Sequence, residues 1–146
     1  MAEEKSATGN LIDAAATLQA FAECAEGVAA TTKKLQKAAI LGDYLKTLSD
    51  PDLTRAARYF AGQQFAQNDA RTTNVGGSII SAALSEATGL SPEDLSPRWV
   101  RLGDPGDVAE EIVKEAHQVR EPSITLAEAE SLIGRLSETR GIRNKT

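Results

Sequence analysis

Cysteine is almost missing from this chain. Cys24 is the only one, so no intrachain disulfide can form and a disulfide-stapled scaffold is excluded. Histidine is equally scarce: His117 stands alone, and no histidine lies near Cys24 in sequence to activate it as a nucleophile. Aromatic residues make up 4% of the chain and β-branched runs are nearly absent, which argues against a β-sandwich or barrel. No stretch approaches the roughly 18 apolar residues that a membrane-crossing helix needs. The opening MAEEKSATGN is polar and lacks the apolar centre of a signal peptide. No G-x-x-x-x-G-K-[ST] loop is present to cradle nucleotide phosphates. A positive excess is also missing, because the formal net charge is −5. Domains that hold nucleic acid usually carry cations that displace counterions from phosphate. This chain has only local clusters: Lys33, Lys34 and Lys37 form one, and Arg135, Arg140, Arg143 and Lys145 the other. Together these absences predict a cytoplasmic protein with no membrane partner.

What is present suits packed helices. The 146 residues are 41% apolar, mostly Ala, Leu, Ile and Val, enough for one domain with a real core. Residues 1–10 are expected to be disordered and residues 11–146 to form the helical domain. Apolar spacing of three and four predicts six helices. The first covers Leu11 to Cys24, with Leu11, Ala14, Ala15, Leu18 and Ala22 inward. Gly27 separates it from the second, Ala29 to Leu48, whose stripe is Leu35, Ala38, Leu41, Leu45 and Leu48. Asp50 as N-cap and Pro51 as first residue open the third, which Gly62 ends. A polar loop, Gln67 to Asn74, leads to the fourth, Gly77 to Thr88, with Ile79, Ile80, Ala83, Leu84 and Ala87 on one stripe. SPEDLSP, Ser91 to Pro97, reads as a short helical turn bounded by Pro97, and Trp99 as an anchor for the loop that follows. The fifth helix runs from Pro105 to Val119. The sixth opens with a capping box at Thr125 and Glu128, buries Leu126, Ala129, Leu132, Ile133 and Leu136, and stops at Gly141. No repeat of fixed period is evident.

Catalytic chemistry is poorly provided for. His117, on the last turn of the fifth helix, fits a cation that complements the helix dipole. Cys24, in an Ala-rich helix, fits a small buried hydrophobe. Glu110, Glu111 and Glu115 lack the histidines or the D-x-D-x-D-G loop of a metal site and read as a solvated face. Three glycine-marked segments remain. Thr73-Asn74-Val75-Gly76-Gly77-Ser78 combines side-chain donors with two glycines that admit close approach to the backbone, just before a helix whose start offers free N–H groups. Gly103 to Asp107 reads as a tight helix start in which Asp104 caps its own helix, because that carboxylate competes with phosphate. Arg140-Gly141-Ile142-Arg143-Asn144-Lys145-Thr146 is basic and donor-rich, and is open to a phosphate-contacting loop or a frayed tail.

The order of these elements resembles a known family. TTKKLQKAAILGDYLKTL, DPDLTRAARYFAGQQF, VGGSIISAAL and LGDPGDVAEEI follow one another as in the N-terminal DNA-binding domain of ATP-dependent DNA ligases of the archaeal and eukaryotic type, here of a microbial enzyme. TLAEAESLIGRLSETRGIRNKT is similar to the segment leading toward the catalytic part. The resemblance runs from Leu18 to the last residue. It implies an all-α domain of six or more helices that lies along the minor groove of nicked or intact duplex, opposite the nick, and touches phosphates with helix-end loops. Carried over, Thr73, Asn74, Gly76, Gly77 and Ser78 match one DNA-contacting loop, and Arg140, Gly141, Arg143, Asn144 and Lys145 match a basic one. Thr32 and Lys33 match the start of the family's second helix, where a packing role is expected. The K-x-D-G signature is absent, and with it the adenylation and OB-fold domains. The expectation is therefore a monomer without a catalytic residue, cofactor or metal of its own. Its partners would be DNA and the remaining ligase domains, with ATP and a divalent metal confined to those domains. A helical protein-interaction module that kept the fold without DNA binding is the alternative. A helix-turn-helix regulator fits less well, since Leu53 to Ala61 carries only two arginines on an otherwise apolar helix.

Overall fold

The computed structural model describes residues 13–116 and 120–139. These residues form α1 (Leu18–Ala29), α2 (Lys34–Leu45), α3 (Asp50–Phe60), α4 (Gly77–Thr88), α5 (Pro92–Leu102), α6 (Pro105–Glu115) and α7 (Leu126–Glu138), with no β-strand among them. The all-α expectation holds. The chain divides into two compact units. One joins the residues up to Thr72 with those from Pro122 onward; the other is Thr73–Glu121.

In the first unit α1, α2 and α3 meet around Phe21. Its ring lies 4.5 Å from Phe60, 6.1 Å from Tyr59 and 6.5 Å from Tyr44, centroid to centroid. The two tyrosines approach edge-on, the arrangement that the ring quadrupole favours. α2 packs on α1 near Gly27, where a Cβ would make an ordinary van der Waals contact with Ile40 at 3.5 Å. On α3, Ala56 is fully buried. Ion pairs join α3 to α7, with Arg55 3.3 Å and Arg58 3.2 Å from the Glu130 carboxylate. The starts of α1 and α7 are also tied: the Leu18 N–H donates to the Ile124 carbonyl at 2.8 Å, and Thr17 and Thr125 form an antiparallel bridge. Each threonine also caps its own helix, its hydroxyl accepting from Ala20 N–H and Glu128 N–H respectively.

The second unit packs α4, α5 and α6 around Leu95, Val108 and Ile112, all at most 1% exposed. Arg98 and Arg101 on α5 hold Glu111 and Glu115 on α6, Arg98 reaching Glu115 at 2.8 Å and Arg101 reaching Glu111 at 2.6 Å. α4 and α5 end at Gly89 and Gly103, whose φ of 75° and 69° lies in the left-handed region that glycine enters freely. α6 starts as its sequence implies: Asp104 accepts from Asp107 N–H at 3.0 Å. A Cβ on Gly106 would sit 2.9 Å from that capping oxygen, so glycine keeps the cap open.

Several sequence expectations need correction. The first helix, expected from Leu11, is interrupted: Asp13 caps a short 3-10 turn at Ala14–Ala16, and extended Thr17 then starts α1, while Leu11 lies outside the described residues. The hydroxyl of Thr17 competes for backbone there and favours a cap over helix continuation. Gly27 is inside α1, not after it. α3 is capped by Ser49, which puts Asp50 first and Pro51 second. SPEDLSP opens a full helix, and Trp99 belongs to that helix rather than to a loop. Pro97 removes one backbone hydrogen bond inside the helix, at a cost of about 3 kcal/mol. The Ser91–Asp94 capping box and the buried Leu95 offset it. Leu35 is 88% exposed rather than inward. α2 is apolar on two sides, and Ile40 and Tyr44 show which side the core takes. Ile79, Leu132 and Leu136 also face solvent. At Thr125 only one arm of the expected capping box forms. α6 ends at Glu115; His117, Val119 and Gly141 lie outside the described residues, as does the expected disordered start at 1–10.

Two outcomes test this packing. Leu95→Ala should destabilise the protein by about 2–5 kcal/mol in urea denaturation followed by circular dichroism, because it opens a cavity in a fully buried site. Burial, then proximity to Cys24 and Asp52, pushes the Tyr44 hydroxyl up from 10.0 to about 12. Between these values the unfolded chain releases a proton that the folded chain keeps, so stability must fall as pH rises. Tyr44→Phe should make this alkaline decline shallower. The same decline in both proteins would show that Tyr44 is not its source.

Candidate nucleic-acid interface

α4 begins without a side-chain cap. Its N-cap is Gly76, in an extended conformation, and no acidic residue lies in its first turn. The first N–H groups that find a backbone carbonyl are those of Ile79 and Ile80, both on Gly76 at 3.1 Å. The N–H groups of Gly77 and Ser78 have no intrahelical carbonyl to bond, as at any helix start, and here no side-chain cap covers the end. Neither Gly76 nor Gly77 has an atom within 4 Å of where a Cβ would stand. The backbone here is open to a ligand, at the positive end of a helix dipole. Asn74 just before it adopts φ 53°, a left-handed turn that asparagine tolerates better than most residues. Thr73 is half-buried, while Asn74, Gly76, Gly77 and Ser78 are exposed. The structure thus brings the five sequence-predicted loop residues together at one helix start.

Most other helix starts in the chain differ. Thr17, Ser91, Asp104 and Thr125 each fold a side-chain oxygen onto their own helix, and α3 carries Asp50 and Asp52 in its first turn. Such starts already have their negative partner. Only α2 shares the open character of α4: Lys33 is its N-cap, with no side-chain cap and no acid in the first turn. Thr32 and Lys33 are exposed, so the packing role expected for them is not what they do.

The distribution of cations was not visible in the sequence. Arg55 and Arg58 are held by Glu130, and Arg55 also by Asp52 at 2.9 Å. Arg98 and Arg101 are held by Glu111 and Glu115. Arg71 grips both oxygens of Asp69, at 3.0 and 2.8 Å, and lies 4.6 Å over the Phe65 ring. The Arg71 hydrogen bonds hold the Asp69 carboxyl below its usual range, and those of Arg101 do the same for Glu111. Glu110 and Glu115 are exposed, as on a solvated face, while Glu111 and Glu115 also brace α6 against α5 and Glu110 pairs with Lys114. An open cleft of about 370 Å³, lined by Arg58, Phe65, Asp69, Arg71, Glu130 and Ser131, contains two matched pairs and no unmatched charge. Lys33, Lys34, Lys37, Arg120 and Arg135 are the cations without an ion pair among the described residues. Arg140, Gly141, Arg143, Asn144 and Lys145 lie outside the described residues.

Cys24 is buried, and that burial pushes its thiol pKa up, away from the reactive thiolate. Among the described residues no helix is long and apolar enough to cross a membrane.

Comparison with known proteins agrees with the sequence order noted above. Residues 17–146 match the family model described as DNA ligase N terminus. A probable DNA ligase of Opitutus terrae is 40% identical over 89 residues, covering 61% of this chain and 9% of that protein. A probable DNA ligase of Koribacter versatilis is 30% identical over 124 residues, covering 85% of this chain and 21% of that protein. DNA ligase 3 of Schizosaccharomyces pombe is 27% identical over 118 residues, covering 78% and 15%. The chain spans only a minor share of the length of these relatives. With an all-α fold and a family match over nearly its whole length, the chain belongs to the DNA ligase N-terminal family.

Proposed function

We propose that this domain grips duplex DNA without reading its sequence, as the N-terminal part of an ATP-dependent ligase that seals nicks in replication, repair or recombination. The observation that supports the reading is the start of α4, which has no side-chain cap and no acid in its first turn and begins at two uncrowded glycines. Backbone donors at a helix start suit phosphate oxygens and carry no sequence preference. They also need no positive side chain, which lets a chain of net charge −5 bind an anion locally. Thr73, Asn74 and Ser78 add side-chain donors. Arg143 and Lys145, with Arg140, Gly141 and Asn144, supply a second, cationic contact along the minor groove. The domain works as a cytoplasmic monomer joined to the adenylation and OB-fold parts of the ligase, and ATP and a divalent metal act there.

One observation favours a second reading. Arg55, Arg58, Arg71, Arg98 and Arg101 are all held by the protein's own carboxylates. A helical module with its arginines so engaged suits a protein partner as well as DNA.

Fluorescence anisotropy with labelled nicked and intact duplexes, from low to near-physiological salt, separates the two. Salt-sensitive binding to both duplexes is expected, and no binding at the lowest salt would favour the protein-interaction reading. Gly77→Val should weaken binding about tenfold by crowding the backbone donors, with the fold intact because the added side chain meets open space. Arg143→Ala with Lys145→Ala should weaken binding equally for all sequences and flatten the salt slope by about one to two. Unchanged binding in either variant removes that segment from the interface.

A further inference from the structure

The polar chain that follows α3 and leads toward α4 is tied down step by step. α3 closes with Gly62 at φ 76°, and the Gln63 N–H donates back to the Arg58 carbonyl at 3.1 Å. The Asp69 N–H then donates to the Ala66 carbonyl at 2.8 Å and closes a turn over 66–69. Asp69 next takes hold of the residue two places on. Its Oδ1 accepts from the Arg71 backbone N–H at 2.9 Å. Its two oxygens accept from Arg71 Nε at 3.1 and 3.0 Å, and Oδ2 accepts from Nη2 at 2.8 Å. The same guanidinium lies 4.6 Å over the ring of half-buried Phe65. Phe65, Asp69 and Arg71 share the open cleft with Arg58 of α3 and with Glu130 and Ser131 of α7, so the cluster sits against the helices of its own unit.

An exposed ion pair between neighbours in sequence usually contributes little. This one is of a different kind, because a backbone N–H, both carboxylate oxygens and a ring face act together on one side chain. A forked guanidinium pair fixes direction as well as distance. The cluster covers no core, since the side chains of Asp69 and Arg71 are 26% and 52% exposed. Its effect falls on the backbone from Asp69 to Arg71. Residues 72–76 follow, and Gly77 then begins α4. Within that run Asn74 takes φ 53°, a conformation that few residues hold unless their surroundings define it. A loop with a fixed entry presents its donors already ordered. A loop with a loose entry loses that freedom on binding, and its affinity is lower by the difference.

On the reading of this loop as a DNA contact, we infer that Arg71 is a positioning residue for the start of α4: clamped between Asp69 and Phe65, it fixes the entry of the segment that carries Thr73, Asn74, Gly76 and Gly77, and does not touch the phosphate itself. Its charge is answered by Asp69, which makes it a poor anion contact and a good anchor. The consequence is unusual for an acidic side chain, because Asp69 then supports DNA binding.

The test uses the whole chain with two single variants and their combination. Asp69→Asn removes a negative charge, and attraction to DNA alone would then strengthen. Loss of the clamp predicts the opposite, a duplex affinity about threefold to tenfold lower in fluorescence anisotropy. Arg71→Lys keeps the charge without the fork or the stack, and should lose affinity to the same extent. The double variant should be no weaker than either single one, because both changes remove the same interaction. Backbone amide order parameters read the clamp without DNA. They should fall across residues 72–76 in each variant and stay unchanged in α3 and α7. The proposal is overturned if Asp69→Asn binds duplex as well as the parent or better, or if the order parameters of residues 72–76 stay the same. Full affinity in Arg71→Lys would make Arg71 a direct phosphate contact and overturn it too. If the parent chain binds no duplex, the DNA reading falls, and the order parameters alone decide whether the clamp holds the loop.

Discussion

Glu130 accepts Arg55 and Arg58 at once, and Glu111 does the same for Arg98 and Arg101. These pairs are partly exposed, and pairs of that kind typically contribute only about 0.2–1 kcal/mol each. Their importance is directional. The paired groups sit on different helices, so they fix how far α7 has slid along α3 and how α6 is turned against α5. Apolar burial at Ala56, Leu95, Val108 and Ile112 supplies the driving force, but it is non-directional and leaves such sliding less well defined. The same pairs determine what the surface offers. An arginine already held by two carboxylate oxygens has little to give to an outside anion.

Among the described residues, what remains for anions is backbone together with Lys33, Lys34, Lys37, Arg120 and Arg135. The open starts of α2 and α4 are the two places where a helix dipole is not already answered by a threonine, serine or aspartate. One is neutral and glycine-floored, the other basic.

Helix existence and several helix starts were legible from the chain alone. Asp104 caps α6, Gly77 opens α4, and Gly89 closes it, because each rests on local chemistry within a turn. The fold class and the family likeness followed from the order of such signals. Facing was less legible. Leu35 and Ile79 fit an apolar stripe as well as any core residue does, and only the neighbouring helix decides which side is covered. Pro97 reads as a stop in the sequence, because the capping box and the burial that outweigh it act through Ser91 and through tertiary contacts of Leu95. The Arg–Glu pairs join positions as distant as Arg58 and Glu130, and nothing local announces them. The loop from Thr73 to Ser78 was readable for the opposite reason: its character is set by its own glycines and by the absence of a cap.

The bridge between Thr17 and Thr125 carries a consequence for how the chain acquires its shape. One compact unit is assembled from both ends of the sequence, and the other is inserted between them. During synthesis α1, α2 and α3 leave the ribosome long before α7 exists to cover them. The inserted unit, by contrast, is complete as soon as its last helix emerges. Closing the discontinuous unit means ordering a long loop, an entropic toll that grows only slowly with loop length and is lower when the loop is already compact. Prior collapse of α4 to α6 therefore shortens the effective search by which Leu126 and Glu130 find their places.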